Sequence, residues 1–125
     1  MNISIQPQSN LAIYEQLVEQ FKDEIIKGNL KEGDIMPSIR ALAKELRISV
    51  ITTKRAYEEL EKDGLIYSVA GKGFYVNQQD TNILREKKVQ QIEGQMSEVI
   101  RSLKKAELSL EDAKDMLELL WEDAE

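Results

Sequence analysis

Hydrophobic residues recur every three or four positions near the start of the chain. The stripe consists of Tyr14, Leu17, Val18, Phe21, Ile25 and Ile26. This spacing predicts a helix with one face in a core. Polar residues 8–10 supply candidate capping side chains before it, and Gly28 supplies the stop, because glycine readily takes the left-handed conformation that ends helices.

Two shorter helical patterns follow, almost back to back. Ser38 is the predicted N-cap of a helix of about nine residues, and Ser49 is the predicted N-cap of the next one, over residues 50–63. Thr53 falls on the apolar side of this last helix, so we expect a buried side chain with a hydrogen-bonded hydroxyl. Gly64 closes the helix.

A β-hairpin is predicted next. β-branched and aromatic residues at 65–69 and 74–76 flank the glycine-rich stretch 70–73, which tolerates positive φ angles. The residues that we assign to the core are Leu65, Ile66, Tyr67 and Tyr75. Two short helices joined by a tight turn and followed at once by a hairpin predict a helix-turn-helix with a wing.

A second helical region follows the polar linker at residues 77–81. Its first apolar stripe has spacings of three and four residues, as in a coiled coil, and consists of Val89, Ile92, Met96, Val99 and Leu103. A second stripe begins after Ser109, which together with Asp112 resembles a capping box. These patterns predict a helical hairpin.

Two helices alone cannot bury both stripes of the tail. We therefore expect the tail to close against a second copy of the chain in a symmetric dimer. The predicted interface consists of Val89, Ile92, Met96, Val99, Leu103, Leu117, Leu120 and Trp121, with the tryptophan at its end. A pocket for an unknown small-molecule effector between the tail helices stays open as an alternative, although no polar constellation locates it.

The composition excludes most enzyme chemistry. The 125 residues include no cysteine and no histidine, which removes disulfides, thiolate metal sites and the commonest general base. We predict no catalytic residue, no metal and no cofactor, and we interpret the many tail carboxylates as a solvated face rather than a cation site. No run of about eighteen apolar residues and no signal-peptide layout is present, so we expect a soluble cytoplasmic protein.

The formal net charge of −6, taken alone, argues against a nucleic-acid partner. The charges are unevenly distributed, however. Residues 1–78 carry ten basic and eleven acidic side chains, whereas residues 79–125 carry seven and twelve. Within residues 38–57 five basic side chains stand against the single acid Glu45. This basic island keeps a polyanionic partner open.

Five strings of the sequence stand out by their order and spacing. They are IYEQ (13–16), IIKGNLKEGD (25–34), MPSIRALA (36–43), AYEELEKDGLI (56–66) and GKGFYV (71–76). Together they resemble the GntR family of bacterial transcription regulators. The short tail resembles the YtrA-type subfamily, because the large effector domains of the family are much longer. The resemblance implies a dimeric regulator, often encoded beside transporter operons.

The helix starts at Ser38 and Ser49 are candidate phosphate contacts. A helix N-terminus offers unpaired N–H groups and a partial positive charge, although both serines are equally open to an ordinary capping role. The resemblance implies that the arginine at Arg40 contacts DNA, and a guanidinium suits either guanine O6 and N7 or a phosphate. The alternative for Arg40 is a surface ion pair with a nearby glutamate.

The first turns of the third helix enter a major groove in a helix-turn-helix, and here they carry Val50, Ile51, Thr52, Lys54 and Arg55. Many relatives carry arginine at the position of Val50, so the usual guanine contact is missing. Val50 or Ile51 would meet a thymine methyl group instead, with partial burial as the alternative for Val50. Adjacent helical positions point about 100° apart, so we expect one phosphate contact from Lys54 and Arg55 rather than two.

Gly71 and Lys72 lie at the tip of the predicted hairpin. Glycine lets the tip approach DNA closely, and the lysine would place a charge at the minor groove or at a phosphate. A plain hairpin turn is the alternative. A nucleotide-binding loop is not favoured, because no strand-loop-helix context and no Lys-Ser/Thr pair follows.

Together these patterns predict a mainly α protein with two domains. Residues 1–78 form a winged helix-turn-helix with a small β-hairpin wing, and residues 79–125 form a C-terminal α-helical hairpin for dimerisation. We expect a dimeric repressor of its own operon that reads a pseudo-palindromic operator in double-stranded DNA. One rival is a winged-helix protein-interaction module that does not bind DNA. The other is an enzyme or metal-dependent sensor, which the residue inventory disfavours.

Overall fold

The computed structural model describes residues 2–124, and the chain divides into two compact units after Leu84. The elements in chain order are α1 (Ile13–Ile26), α2 (Ile39–Leu46), α3 (Val50–Lys62), β1 (Ile66–Val69), β2 (Gly73–Val76), α4 (Thr81–Lys105) and α5 (Leu110–Asp123). The prediction of a mainly α fold with one antiparallel hairpin and a helical tail is confirmed.

The core of the first unit forms around Tyr57 of α3. Its ring centroid lies 5.8 Å from that of Phe21 on α1 and 5.2 Å from that of Phe74 on β2, both in the edge-to-face arrangement that aromatic pairs favour. The other large side chains that are fully buried are Leu17, Leu42, Leu60, Ile66, Val76 and Thr53. This core fixes the buried face of α3 and leaves the opposite face of the helix exposed.

The hairpin is extended by a third stretch of backbone. Ile35 forms an isolated bridge with Tyr75, and the N–H of Met36 donates to the carbonyl of Phe74 at 2.8 Å. Tyr75 is also the partner of Tyr67 in the hairpin register, and the two rings stack with centroids 5.8 Å apart. The backbone before α2 is therefore hydrogen-bonded to the wing.

The assignment of Tyr67 to the core is wrong, because this side chain is 41% exposed. Side chains alternate between the two faces of a strand, so the inward position of Ile66 forces Tyr67 outward. Tyr75 is only half-buried for the same reason, whereas Leu65 and Ile66 are core residues as predicted. The three successive apolar residues 65–67 conceal this alternation.

An extended N-terminal arm lies along α1 and is held by two glutamines. The Gln16 side chain accepts from the N–H of Gln6 at 2.8 Å and donates to its carbonyl at 3.1 Å. Gln20 makes the same pair of bonds to Ser4, at 2.9 and 2.7 Å. Each glutamine amide thus substitutes for a neighbouring strand, which satisfies the backbone groups of the arm.

The predicted capping of α1 by residues 8–10 is wrong. The helix begins after Ala12, whose N–H donates to the carboxylate of Glu15 at 3.2 Å. The Ser9 hydroxyl instead accepts from the N–H of Leu11 at 3.1 Å and stabilises a turn. Residues 8–10 therefore lie in the turn between the arm and the helix, before the helix start.

The second unit contains two helices joined by a short turn. Glu107 in this turn has a φ of 58°, and Ser109 caps α5. The Ser109 hydroxyl accepts from the N–H of Asp112 at 3.1 Å, and the Asp112 carboxylate accepts from the N–H of Ser109 at 2.9 Å. The predicted capping box is confirmed, and its backbone hydrogen bond lowers the pKa of the Asp112 carboxyl.

Candidate nucleic-acid interface

Each helix of the helix-turn-helix begins at a serine cap. The hydroxyl of Ser38 accepts from the N–H of Ala41 at 3.1 Å, and the hydroxyl of Ser49 accepts from the N–H of Thr52 at 3.1 Å. Both predicted N-caps are confirmed. The Ser49 hydroxyl also donates to the Thr52 hydroxyl at 2.6 Å, so these two candidate residues form one polar cluster at the start of α3.

The turn between α2 and α3 depends on a left-handed residue. Arg47 has a φ of 58°, and the N–H of Ile48 donates to the carbonyl of Ala43 at 3.0 Å. This is the position where helices usually place glycine, because a Cβ is strained there. The Arg47 side chain is exposed, so a strained backbone position also places a cation on the surface of the turn.

Two buried hydroxyls fix α3 relative to the residues around it. Thr53 is fully buried and donates to the carbonyl of Ser49 at 3.1 Å, as predicted. The hydroxyl of Tyr57 donates to the carbonyl of Pro37 at 2.7 Å, and burial raises the pKa of this phenol. Sequence patterns place Tyr57 in the core but do not indicate this bond to the start of α2.

Most of the side chains predicted to enter the major groove are exposed to solvent. Ile51 is 76% exposed and Val50 is 49% exposed, although burial of a large apolar side chain is favourable. Lys54 and Arg55 are exposed as well, while Thr52 is half-buried. The exposed face of the first two turns of α3 therefore carries apolar and cationic side chains that do not pack into the core.

The cations of the candidate interface are exposed and largely uncompensated. Within residues 2–124 Arg40, Lys54 and Lys72 form neither an ion pair nor a side-chain hydrogen bond. The ion-pair alternative for Arg40 therefore has no counterpart in the structure. By contrast, Arg101 forms an ion pair with Glu98 on the surface of α4. Cations left without an acidic partner remain available to phosphate.

Arg55 differs from these cations because it is held by Tyr14 of α1. Its guanidinium carbon lies 3.9 Å from the centroid of the Tyr14 ring, and its Nη2 donates to the Tyr14 hydroxyl at 3.2 Å. The sequence patterns do not indicate this pair. The two residues are 41 positions apart, and Tyr14 reads only as one more member of an apolar stripe.

The tip of the wing is a tight turn built on glycine. The N–H of Lys72 donates to the carbonyl of Val69 at 2.9 Å, and Gly71 has a φ of 75° at the third position of the turn. This conformation is strained for any residue with a Cβ. The backbone thus ends the hairpin with the exposed Lys72 side chain beside its tip.

The tail helices border an apolar groove of about 430 Å³. Six of the eight residues predicted for the dimer interface line it, namely Ile92, Met96, Val99, Leu103, Leu117 and Leu120. Val89 and Trp121 were predicted with them but do not line the groove; both are exposed. No residue of α4 or α5 is buried, so this unit, as the structure describes it, has apolar surface without a core of its own.

Neither a metal-binding cluster nor a membrane-spanning helix occurs in residues 2–124. No group of three acidic side chains that could hold a metal ion occurs among them. No helix within the same range is long and apolar enough to cross a membrane.

The fold and the exposed, cation-bearing helix-turn-helix define a winged-helix DNA-binding protein. The profile described as "Bacterial regulatory proteins, gntR family" matches residues 13–76. The chain belongs to the GntR family of bacterial regulatory proteins, and it is a transcriptional regulator rather than an enzyme.

Comparison with individual relatives extends the match beyond the DNA-binding unit. The chain is 34% identical over 121 residues to the HTH-type transcriptional repressor YtrA of Bacillus subtilis, covering 97% of this chain and 93% of that protein. A transcriptional antiterminator from Listeria monocytogenes EGD-e superposes with a TM-score of 0.71 at 30% identity, covering 98% of this chain and 92% of that one. The resemblance to the YtrA-type subfamily is confirmed.

A structure solved with DNA is similar to the first unit. It is the DNA-binding domain of AraR in complex with operator ORX1, with a TM-score of 0.52 and 30% identity. The similarity covers 58% of this chain and 89% of that one.

Proposed function

We propose that this chain is a homodimeric repressor that acts in the bacterial cytoplasm and reads a pseudo-palindromic operator of its own operon. The observation that carries the proposal is the set of exposed cations without acidic partners on the unit that also exposes the first turns of α3. A regulator that is acidic overall can bind DNA in this way, because counterion release depends on local cations.

In each subunit residues 50–55 enter a major groove. Val50 and Ile51 meet thymine methyl groups, and Lys54 reaches polar base edges beside them. Arg40, one turn into α2, takes a guanine or a phosphate. The helix starts at Ser38 and Ser49 suit phosphate oxygens, because the first N–H groups of a helix have no partner within it, and the capping hydroxyls hold these starts in place. These assignments are supported by exposure, since none of these side chains is buried.

The wing supplies a second contact with the duplex. Gly71 permits a narrow hairpin tip, and Lys72 carries an uncompensated charge at that tip. We assign Lys72 to the backbone that flanks the major-groove site, or to the minor groove beside it. Contacts from α3 and from the wing together determine the position of the subunit on the DNA.

Residues 79–125 provide the dimer interface. The apolar groove between α4 and α5 is assigned to the second copy rather than to a small-molecule effector, because almost all of its lining is apolar. A symmetric pairing covers the same surface on both subunits and presents two reading helices to two half-sites. Residues 1–78 are assigned as the DNA-binding domain.

Relatives support this function. The similar Bacillus subtilis protein YtrA is a transcriptional repressor, and the similar domain of AraR was solved on an operator. The competing idea of a winged helix that binds only protein finds no support in these relatives.

The proposal is tested by titrating the protein into labelled DNA from the region upstream of its own gene. Fluorescence anisotropy between 50 and 200 mM salt gives log K against log salt, and about six neutralised phosphates per dimer predict a slope near −5. An unrelated duplex is the control, with much weaker binding. Equal affinity for both duplexes, or affinity that does not change with salt, would contradict the proposal and favour the protein-interaction alternative.

A further inference from the structure

A cation at the edge of the reading surface is fixed in place before any ligand binds. The carbon of the Arg55 guanidinium lies over the Tyr14 ring, and the group donates one hydrogen bond to the Tyr14 hydroxyl. Both contacts cross from α3 to α1, so they hold the side chain on the flank of α3 that faces the start of α1. We infer that Tyr14 is a positioning residue that holds Arg55 for one DNA phosphate at the edge of the major groove.

The structure disfavours a simple surface role for Arg55. Glu58 and Glu59 lie three and four residues further along α3, at the spacing where helical ion pairs form. Within residues 2–124 Arg55 pairs with neither of them. In the tail, by contrast, Arg101 does bind Glu98 at a spacing of three residues. Arg55 therefore keeps its charge uncompensated, and tyrosine fixes its direction without neutralising it.

The guanidinium retains the donors that a phosphate needs. An arginine side chain has five N–H donors, and the Tyr14 hydroxyl accepts from one of them. The N–H donors that remain can form two parallel bonds to phosphate oxygens. Because Tyr14 already holds Arg55 in one rotamer in the free protein, less side-chain entropy is lost when DNA binds.

The position of Arg55 on α3 indicates which part of the DNA it meets. Arg55 lies one turn beyond Ile51, the most exposed of the apolar reading residues. It points about 100° away from Lys54. In the proposed function, on which this inference rests, Ile51 faces the bases. Arg55 is only about 40° around the helix from Ile51, and its contacts with Tyr14 of α1 are what direct it to the rim of the groove. Of the pair Lys54 and Arg55, Arg55 then makes the one phosphate contact.

Binding to a duplex that the wild-type protein selects from a random-sequence library tests the inference. We expect Arg55→Gln to weaken binding about tenfold at 0.1 M salt and to reduce the salt slope by about 0.9 per subunit. Tyr14→Leu should weaken binding about fivefold with no change in slope, because the charge remains and only its fixed direction is lost. Tyr14→Phe, which keeps the ring, should give an intermediate loss.

Ethylation interference on the same duplex identifies the phosphate. One phosphate per half-site should interfere with the wild-type protein. Its signal should disappear in Arg55→Gln and weaken selectively in Tyr14→Leu, whereas an unspecific loss of stability would weaken all signals together. Arg101→Gln is the matched control, because it breaks a helical ion pair outside this unit and should leave affinity unchanged. Thermal melts verify that each variant is folded at the binding temperature.

Two results would overturn the inference while leaving the proposed function intact. Either Arg55→Gln keeps the wild-type slope and interference pattern, or both Tyr14 variants bind as the wild-type protein does. If the wild-type protein selects no duplex at all, the proposed function fails, and this inference fails with it.

Discussion

Tyr57 of α3 donates a 2.7 Å hydrogen bond to the carbonyl of Pro37, the residue immediately before the N-cap of α2. The same ring packs edge-on against Phe21 of α1 and Phe74 of β2. One side chain thus joins the reading helix to the start of the preceding helix, to α1 and to the wing. Tyr57 therefore connects the elements that carry the proposed DNA contacts.

Removal of the Tyr57 hydroxyl should therefore destabilise the first unit. We expect Tyr57→Phe to lower the free energy of unfolding by about 1–2 kcal/mol, because the Pro37 carbonyl loses its donor while the aromatic packing stays. Urea unfolding followed by circular dichroism measures the change. Tyr67→Phe is the control, since Tyr67 is exposed, and it should shift the free energy by less than about 0.5 kcal/mol. Equal stability of Tyr57→Phe and the wild type would show that the bond contributes nothing.

Local features of the fold were predictable from sequence because their causes are local. Ser38 and Ser49 cap the helices that follow them, and the Ser109–Asp112 capping box forms as its spacing indicates. Thr53 is buried with a hydrogen-bonded hydroxyl because helical periodicity alone places it on the core side of α3. Each of these features involves residues no more than about four positions apart.

Features that depend on distant residues were not predictable in the same way. The bond between Arg55 and Tyr14 joins two helices, and the bridge between Ile35 and Tyr75 adds backbone from before α2 to the wing. The assignment of Tyr67 to the core is wrong because the three successive apolar residues 65–67 hide the alternation of a strand. For the candidate site, sequence located the helix starts, the exposed cations and the wing tip, but not the tyrosine that holds Arg55.

Two exposed cations should contribute to DNA affinity without contributing to stability. We expect Arg40→Ala and Lys72→Ala each to weaken binding about three- to tenfold, with the melting temperature unchanged, because neither side chain has a partner in the described chain. Anisotropy titrations and thermal melts measure both quantities. Lys105→Ala in the tail serves as the control, because Lys105 is exposed and does not line the groove between α4 and α5. An Arg40 or Lys72 variant that binds normally or fails to fold would remove that residue from the proposed interface.

Arg47 gives a prediction on stability. Its left-handed backbone conformation is strained by the Cβ, which glycine lacks. Arg47→Gly should therefore raise the free energy of unfolding by about 0.5–1 kcal/mol. Arg47→Ala, which keeps the strain and removes the same charge, is the control and should show no gain. Chemical denaturation compares the three proteins. If Arg47→Gly is less stable than the wild type, the contacts of the Arg47 side chain stabilise the fold by more than its backbone strain destabilises it.

The reading of thymine methyl groups by Ile51 predicts a specific chemical dependence. Replacement of a contacted thymine by uracil in a selected duplex removes one methyl group and nothing else from the major groove. We expect about a fourfold loss of affinity for the wild-type protein, which corresponds to about 0.8 kcal/mol for one buried methyl group.

Ile51→Ala separates a direct contact from an effect of uracil on DNA shape. The variant should bind the thymine and uracil duplexes equally if the isoleucine makes the contact, whereas an effect of shape would persist. The same comparison with Val50→Ala assigns each methyl group to one side chain. If uracil at every thymine position leaves the affinity of the wild-type protein unchanged, the assignment of Val50 and Ile51 to thymine methyl groups is contradicted.

The tail predicts a dimer that one charge can disrupt. Leu117 lines the groove between α4 and α5 and is 52% exposed in the single chain, so in the proposed dimer Leu117→Glu places an unpaired carboxylate in an apolar interface on both subunits. We expect the dimer dissociation constant to rise at least about a hundredfold, which analytical ultracentrifugation detects as a shift to monomer mass. Leu119→Glu is the matched control, since Leu119 is on the same helix, is 70% exposed and does not line the groove.

The two variants also connect assembly with DNA binding. If two subunits read two half-sites, the monomeric Leu117→Glu protein should lose nearly all affinity for the palindromic duplex, while Leu119→Glu keeps it. A single half-site should be bound equally weakly by both variants and by the wild type. A Leu117→Glu protein that remains dimeric would mean that the second copy does not cover the groove, and a monomer that retains full affinity would mean that the operator is read by one subunit.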